Sequence, residues 1–270
     1  MRLMRTAAIV VAILVSLAVP ALAAAKALLI DGSTSMFPLV TQLAAAYHKA
    51  THAPEPKVGQ GTSDVGVNDV YHGRVDIGDV SRNPIIGSDP KGLYFNKIAR
   101  DGVCVITNNA NRIKNLSQEE VKSIFTGDVR DWSEVPGSTL TGPIDLVDRV
   151  ASSGTQDAFQ NIFLGLTTKI SPSAEAQQSN GLVRNKVRTD EDAIGFVSFA
   201  FTEGVNAVGY NGVACNLNNA KSGQYQGVRN FWMVTKGRPK GEAEKFIAWI
   251  TNPKNSIAHK IIGSEWVPIN

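Results

Sequence analysis

Short apolar segments alternate with amphipathic segments along most of this chain. Short, mostly apolar segments predict strands at 26–30, 74–80, 101–107, 144–150, 194–201, 205–210 and 228–235, and a further strand is predicted at 56–61 around Val58. Apolar residues at helical spacing predict helices at 36–50, 63–73, 116–127, 155–166, 240–250 and 254–262. This alternation favours an α/β fold with mainly parallel sheets, whose ligands bind at the carboxyl ends of strands.

The helix at 116–127 has the clearest boundaries. Ser117 is placed to cap its first turn, and Glu120, three residues later, completes the pattern of a capping box. Gly127 is placed to end the helix.

The N-terminus has the pattern of a secretory signal peptide. Arg2 and Arg5 precede an apolar run over 9–19, and small residues suited to cleavage end at Ala23. A membrane anchor is the alternative, but the run is short for a span. We therefore expect a signal peptide at 1–23 and a periplasmic mature protein.

The net charge and the histidine and cysteine content limit the partners and cofactors that the protein can be expected to bind. Removal of the two signal-peptide arginines leaves 25 basic against 24 acidic residues, a net charge of +1, which gives no reason to expect a nucleic-acid partner. The histidines are scattered, and no metal site or cofactor is predicted. Cys104 and Cys215 can form a disulfide in an oxidising compartment or remain as two buried thiols.

Three turns rich in glycine and hydroxyl residues each join a strand to a helix. They lie at 32–35, 61–63 and 152–155, and Arg149 precedes the third. Free amides at a helix start, hydroxyls and a guanidinium together suit an oxyanion. The alternative is that each turn only caps its helix, as Ser153 and Gln156 would in a capping box.

Six segments in this order resemble the periplasmic phosphate-binding proteins of ABC transporters, the PstS family. They are GSTSMFPLV, GQGTSDVG, GRVDIGDVSR, LSQEEVKSIFTGDVRDWSEV, RVASSGT and EDAIGFVSFA. The resemblance implies a two-lobed type II periplasmic-binding-protein fold with a two-strand hinge. We expect the hinge near 102–108 and 226–234, with one lobe formed by 24–104 and 232–270 and the other by 105–231.

The resemblance also implies a phosphate site in the cleft between the lobes. Carried over position by position, the expected ligand residues are Thr34, Ser35, Thr62, Ser63, Ser81, Arg149, Ser153, Gly154 and Thr155.

Ser81 stands where longer members of the family have an aspartate that accepts the proton of phosphate. A serine excludes sulfate less forcefully than a carboxylate does. Asp79, two residues earlier on the same strand face, is a possible acceptor, and so is Asp64. The alternative for Asp79 is that it only caps a turn, a common role of aspartate. Arg82 can add positive charge to the site or pair with a surface carboxylate, and we favour the pairing.

The predicted function is capture of inorganic phosphate by a monomer that delivers it to the membrane permease of an ABC importer. Another oxyanion such as sulfate, molybdate or a phosphonate is an alternative ligand. A signalling or adhesion role on the same fold is a further alternative. A serine hydrolase is disfavoured because the sequence has no Gly-x-Ser-x-Gly elbow and no histidine near the three turns. We therefore expect no enzymatic activity.

Overall fold

The computed structural model describes residues 26–269, so the predicted signal peptide lies outside the described residues. The strands are β1 Leu29–Gly32, β2 Lys57–Val58, β3 Ile77–Val80, β4 Leu93–Thr107, β5 Asn115–Leu116, β6 Asp145–Arg149, β7 Glu175–Gln177, β8 Ala193–Ser198, β9 Asn206–Ala207, β10 Gly209–Tyr210 and β11 Val228–Lys236. The helices are α1 Phe37–Thr51, α2 Ser63–Tyr71, α3 Gln118–Thr126, α4 Gly154–Phe159, α5 Asn180–Thr189, α6 Leu217–Lys221, α7 Gly241–Thr251 and α8 Ser256–Glu265.

The main sheet joins two parallel flanks through antiparallel central strands. Its order is β2-β1-β3-β11-β4-β8-β6-β7, and β9 pairs with β4. Strands β1, β2 and β3 pair in parallel on one flank, and β6, β7 and β8 on the other. The central strands β4 and β11 run antiparallel to their neighbours. The predicted parallel pairing therefore holds within each flank, and two long strands connect the flanks.

The buried apolar residues of each flank form a large core, and a smaller third cluster of Val67, Val70, Val80 and Val234 lies between α2, β3 and β11. One core is built around α1, α7 and α8, and the other around α3, α4, α5 and β8. Strands β4 and β11 each contribute to both cores. On β4, Ala99 packs in the first core and Val103 in the second, and on β11, Phe231 packs in the first core and Val228 against the second. This is the two-lobed fold that the resemblance implied. The core changes lie within a few residues of the predicted lobe boundaries, which remain predictions.

Local sequence chemistry accounts for the helix boundaries. The capping box of Ser117 and Glu120 is confirmed, and Gly127 ends α3 at a φ of 81°, in the left-handed region that favours glycine. The helix predicted at 155–166 starts as α4 and finishes as a π-helical turn over Gln160–Leu164. Helix α5 was not predicted.

Cys104 and Cys215 form a disulfide with a Cα–Cα distance of 5.8 Å. Of the two alternatives left open by the sequence, the fold therefore selects the bonded one. Cys104 lies on β4 and Cys215 precedes α6, so the bridge ties the second lobe to a connecting strand. None of the helices within residues 26–269 combines the length and apolar character needed to cross a bilayer.

Candidate functional site

Hydroxyls from the first two predicted turns meet next to the end of β3. Ser81 Oγ lies 2.7 Å from Ser33 Oγ and 3.3 Å from Ser63 Oγ. The backbone N–H of Ser81 donates to Ser63 Oγ at 3.0 Å. All three serines are buried. Parallel pairing brings β1 and β3 to the same sheet edge, and this is why segments far apart in sequence meet here.

The third turn reaches this cluster from the other lobe. Thr155 Oγ1 lies 3.0 Å from Ser35 Oγ, and the amide N–H of Asp64 donates to the carbonyl of Ser152 at 3.2 Å. These bonds cross between the two lobes, so the structure is of the closed form. The three turns therefore converge on one buried place, as an anion site requires.

Gly154 makes the closest approach between the lobes. A Cβ atom at this position would lie 2.2 Å from Ser63 Oγ, 2.7 Å from Ser81 Oγ and 2.9 Å from the Ser81 carbonyl carbon. Because any side chain would meet the opposite lobe, only glycine permits this degree of closure.

Arg149 is buried beside the third turn and is only partly hydrogen bonded. Its Nε donates to the carbonyl of Gln177 at 3.0 Å, and its Nη2 donates to that of Gln178 at 3.0 Å. Its Nη1 is buried without a hydrogen-bond partner among the described residues. Burial, with the nearby charge of Arg229, lowers the pKa of the Arg149 guanidinium to about 9. A positive charge held in this way is stabilised by an anion.

A second guanidinium, from Arg229 on β11, joins the two lobes. Its Nη2 donates to Ser35 Oγ at 2.8 Å, and its Nη1 donates to Thr155 Oγ1 at 2.9 Å. Asp101 on β4 forms an ion pair with Arg229, whose Nε and Nη2 donate to Asp101 Oδ2 at 3.0 and 2.9 Å. Both members of this ion pair are buried.

Asn180, the first residue of α5, completes the cluster. Its Nδ2 donates to Thr34 Oγ1 at 3.1 Å and to Ser35 Oγ at 2.9 Å. Its Oδ1 accepts from the backbone N–H of Ser198 at 3.1 Å. The bonds to Thr34 and Ser35 also cross between the lobes.

Sequence reasoning missed Asn180, Arg229 and Asp101. Two of them could have been found from the sequence, because a charged residue at the start of a buried apolar strand indicates a buried ion pair or a binding role. Asp101 precedes GVCVI, and Arg229 precedes NFWMV. Asn180 had no such signal, because its helix was not predicted.

Two of the predicted site residues act mainly as helix caps. Thr62 Oγ1 accepts from the N–H of Val65 at the start of α2, and Ser153 Oγ accepts from the N–H groups of Thr155 and Gln156. The predicted capping box at Ser153 is not formed, because Gln156 Oε1 accepts instead from the N–H of Arg149 at 3.1 Å.

Thr34, by contrast, does not cap α1. The cap position of α1 is Met36, which makes no side-chain capping bond, and Thr34 reaches Asn180 in the other lobe. The possibility that Thr34 is a plain cap is therefore wrong.

The acidic residues near the cluster have different environments. Asp79 is fully buried, and its Oδ1 has no hydrogen-bond partner among the described residues. Burial, with the nearby charge of Asp31, raises the pKa of Asp79 well above its usual value. Asp64 is engaged elsewhere, because its Oδ1 accepts from Nε and Nη2 of Arg82 at 3.1 and 2.9 Å.

The pairing predicted for Arg82 is confirmed. Besides Asp64, its Nη1 and Nη2 donate to the two carboxylate oxygens of Asp89 at 3.0 and 2.7 Å. Arg82 is therefore neutralised at the edge of the site. No cluster of three or more histidine, cysteine or acidic side chains within residues 26–269 could hold a metal ion.

Comparison with known proteins identifies the family. A model of the PBP superfamily domain matches residues 19–254. The phosphate-binding protein PstS of Bacillus subtilis (strain 168) is 29% identical over 231 residues, which cover 84% of this chain and 76% of the relative.

Two solved structures agree with this assignment. A proposed phosphate ABC transporter substrate-binding protein with bound phosphate, from Clostridium perfringens, has a TM-score of 0.83 and 29% identity over 91% of this chain and all of that one. An ABC-type phosphate transport receptor from Vibrio cholerae has a TM-score of 0.71 and 26% identity over 90% of this chain and all of that one. The chain belongs to the PBP superfamily and, within it, to the PstS family of binding proteins.

Proposed function

We propose that this protein captures inorganic phosphate between its lobes and delivers it to an ABC importer. The observation that carries the proposal is the convergence of the three turns. Buried hydroxyls of both lobes meet around Arg229, and Arg149, beside the third turn, has a buried Nη1 without a hydrogen-bond partner among the described residues. Phosphate in such a place exchanges its hydration shell for fixed donors. The family is one of solute-binding proteins, which agrees with the expectation that the chain is not an enzyme.

Thr34, Ser35, Ser63, Ser81, Gly154 and Thr155 form the donor set of the proposed site. Thr62 and Ser153 support it by capping the helices that follow the second and third turns. Arg149 supplies the charge, with its Nη1 available to the ligand.

The test is calorimetric titration of the mature protein with phosphate. Arg149→Ala is expected to weaken binding by at least about a hundredfold, since it removes a buried charge-assisted contact. Arg112→Ala, at an exposed arginine, is the matched control and is expected to bind phosphate normally. Equal affinity of the Arg149 variant and the control would contradict the proposal.

A second candidate ligand is another tetrahedral oxyanion, such as sulfate. The observation that favours it is Ser81, whose neighbours are Ser33, Ser63 and the N–H groups of Arg229 instead of a carboxylate. Competition between sulfate and phosphate in the same titration distinguishes the two ligands.

The remaining parts of the proposal concern transport. We expect the signal peptide at 1–23 to direct the chain to the periplasm, where it works as a monomer. The closed, loaded form then docks on the membrane permease. To open, the two lobes must rotate apart about the connecting strands β4 and β11, and this movement breaks the hydrogen bonds that cross the cleft.

A further inference from the structure

We propose that Asn180 and Arg229 are positioning residues that hold the hydroxyls of Thr34, Ser35 and Thr155 as hydrogen-bond donors. The proposal rests on the phosphate site proposed above. It makes this side of the site selective for oxygens that only accept, and therefore for the more fully deprotonated forms of an oxyanion.

The direction of the Asn180 amide is set by the backbone. The N–H of Ser198 can only donate, and it lies 3.1 Å from the side-chain oxygen of Asn180. The amide nitrogen must therefore face the other lobe, where it donates to Thr34 and Ser35. Arg229 has no acceptor atom, so every bond it makes to a hydroxyl is donated.

These donors use up the lone pairs of Ser35. A hydroxyl oxygen has two of them. That of Ser35 accepts from Asn180 Nδ2 at 2.9 Å and from Arg229 Nη2 at 2.8 Å. The Ser35 hydrogen is therefore the one that bridges to Thr155 Oγ1, 3.0 Å away.

The same count then applies to Thr155. Its oxygen accepts from Ser35 and from Arg229 Nη1 at 2.9 Å, so its own hydrogen is left to donate. Thr34 is in a similar position, because Asn180 donates to its oxygen from Nδ2 at 3.1 Å and from the backbone N–H at 3.5 Å. Two hydroxyl hydrogens are thereby directed away from the protein donors.

The chemical consequence is a preference among protonation states. A ligand oxygen that carries a hydrogen meets a donor here, and a buried donor that faces another donor loses its hydrogen bond. Sulfate and the dianion of phosphate present bare oxygens, whereas the monoanion of phosphate presents two hydroxyls. Fixed donors also reach the oxygens of Ser63 and Ser81, since the N–H of Ser81 donates to Ser63 Oγ at 3.0 Å and Arg229 Nη1 donates to Ser81 Oγ at 3.4 Å. Between the hydroxyls of Ser33, Ser63 and Ser81, however, either partner can be the donor, so this side of the site can still accept the single proton of the phosphate dianion.

The test compares ligands in the wild type and in Asn180→Asp. Titrations use phosphate at about pH 8.5 and about pH 5.5, on either side of its second ionisation, and sulfate at both pH values. The wild type is expected to bind phosphate more tightly at the higher pH and to bind sulfate in competition with it. Asn180→Asp places an acceptor where the amide donates, so the hydroxyls turn their hydrogens toward it.

The variant is expected to lose about a hundredfold in affinity for sulfate and for phosphate at the higher pH, and less than about tenfold for phosphate at the lower pH. The matched control is Asn185→Asp, which adds the same charge at an exposed position of α5 and should change each affinity less than about threefold. Circular dichroism checks that both variants fold. If Asn180→Asp fails to fold, the double variant Asp101→Asn/Arg229→Gln tests the same inference, because it removes the guanidinium that donates to Ser35 and Thr155. This variant is expected to show a smaller difference in phosphate affinity between the two pH values.

The outcomes separate the two proposals. Equal losses for all ligands at both pH values would mean that Asn180 is merely structural, and this inference would be overturned. A wild type that binds phosphate but not sulfate would also overturn it, while the proposed function would stand. A wild type that binds sulfate alone would support the donor arrangement and refute phosphate as the ligand.

Discussion

Arg229 and Asp101 are directly opposite each other on β11 and β4 and form a buried ion pair, with Nη2 and Oδ2 2.9 Å apart. The pair lies on the two strands that pass between the lobes, close to where each changes core. Burial raises the pKa of Asp101, and the positive charge of Arg229 opposes this shift. Each of these two charged side chains can therefore be buried only because the other neutralises it.

Removing one member of this pair should be costly. Arg229→Met leaves Asp101 buried without its counter-charge, so we expect the free energy of unfolding to fall by about 3–5 kcal/mol. Urea denaturation measures the loss. The second change Asp101→Asn, made in the same background, should restore part of it, and no restoration would show that the loss did not come from the unpaired carboxylate.

Closure of the lobes should depend on the absence of a side chain at Gly154. In Gly154→Ala the new methyl group would meet Ser63 and Ser81 in the opposite lobe, so we expect a folded protein that binds phosphate at least about tenfold more weakly. Gly181→Ala is the control, since the nearest atom to its new Cβ is Ser179 Oγ at 3.8 Å. Calorimetry on both variants decides the point, and normal binding by Gly154→Ala would show that closure is looser than the structure indicates.

Asp79 should make stability fall as the pH rises. Its pKa in the folded protein is above the unfolded value, because burial and Asp31 disfavour the charged form. The folded state therefore binds more protons between the two pKa values, and stability decreases as the pH rises through that window. Asp79→Asn removes the titration, so we expect a gain of about 1–3 kcal/mol at neutral pH and a flatter pH dependence in urea denaturation.

The same variant tests whether Asp79 accepts the proton of phosphate. If it does, Asp79→Asn should weaken phosphate binding and leave sulfate binding unchanged. Equal affinities of the variant and the wild type for phosphate would leave Asp79 with a purely structural role.

The Cys104–Cys215 disulfide should contribute strongly to stability. The two cysteines are 111 residues apart, and closing a loop of that size restricts the unfolded chain by about 4–5 kcal/mol in the chain-entropy account. We expect Cys104→Ala/Cys215→Ala to lower the free energy of unfolding by up to this amount. A reducing agent should destabilise the wild type and leave the double variant unaffected, and an equal effect on both would point to another cause.

Local patterns in the sequence were sufficient for features that depend on near neighbours. The boundaries of α3 follow from Ser117, Glu120 and Gly127, all within one short segment. The strand at 101–107 was recognised because it is buried on both faces. Its first half, from Leu93, was missed because exposed and buried residues mix there without a clean period.

The resemblance to a known family extended the prediction to residues far apart in sequence. It brought together Ser35, Ser81, Gly154 and Thr155, and these four residues do meet in the structure. It did not include Asn180 or Arg229, because neither lies in the motifs that carry it.

The sequence by itself determined the alternation of strands and helices, the three turns and the presence of Arg149 beside the third, because these depend on side chains close together in the chain. Only the tertiary structure decided that Cys104 bonds Cys215 and that Arg229 lies between Ser35 and Thr155. The physical reason is that these contacts join segments about 70 to 195 positions apart, and their geometry exists only once β4 and β11 have brought the two lobes together.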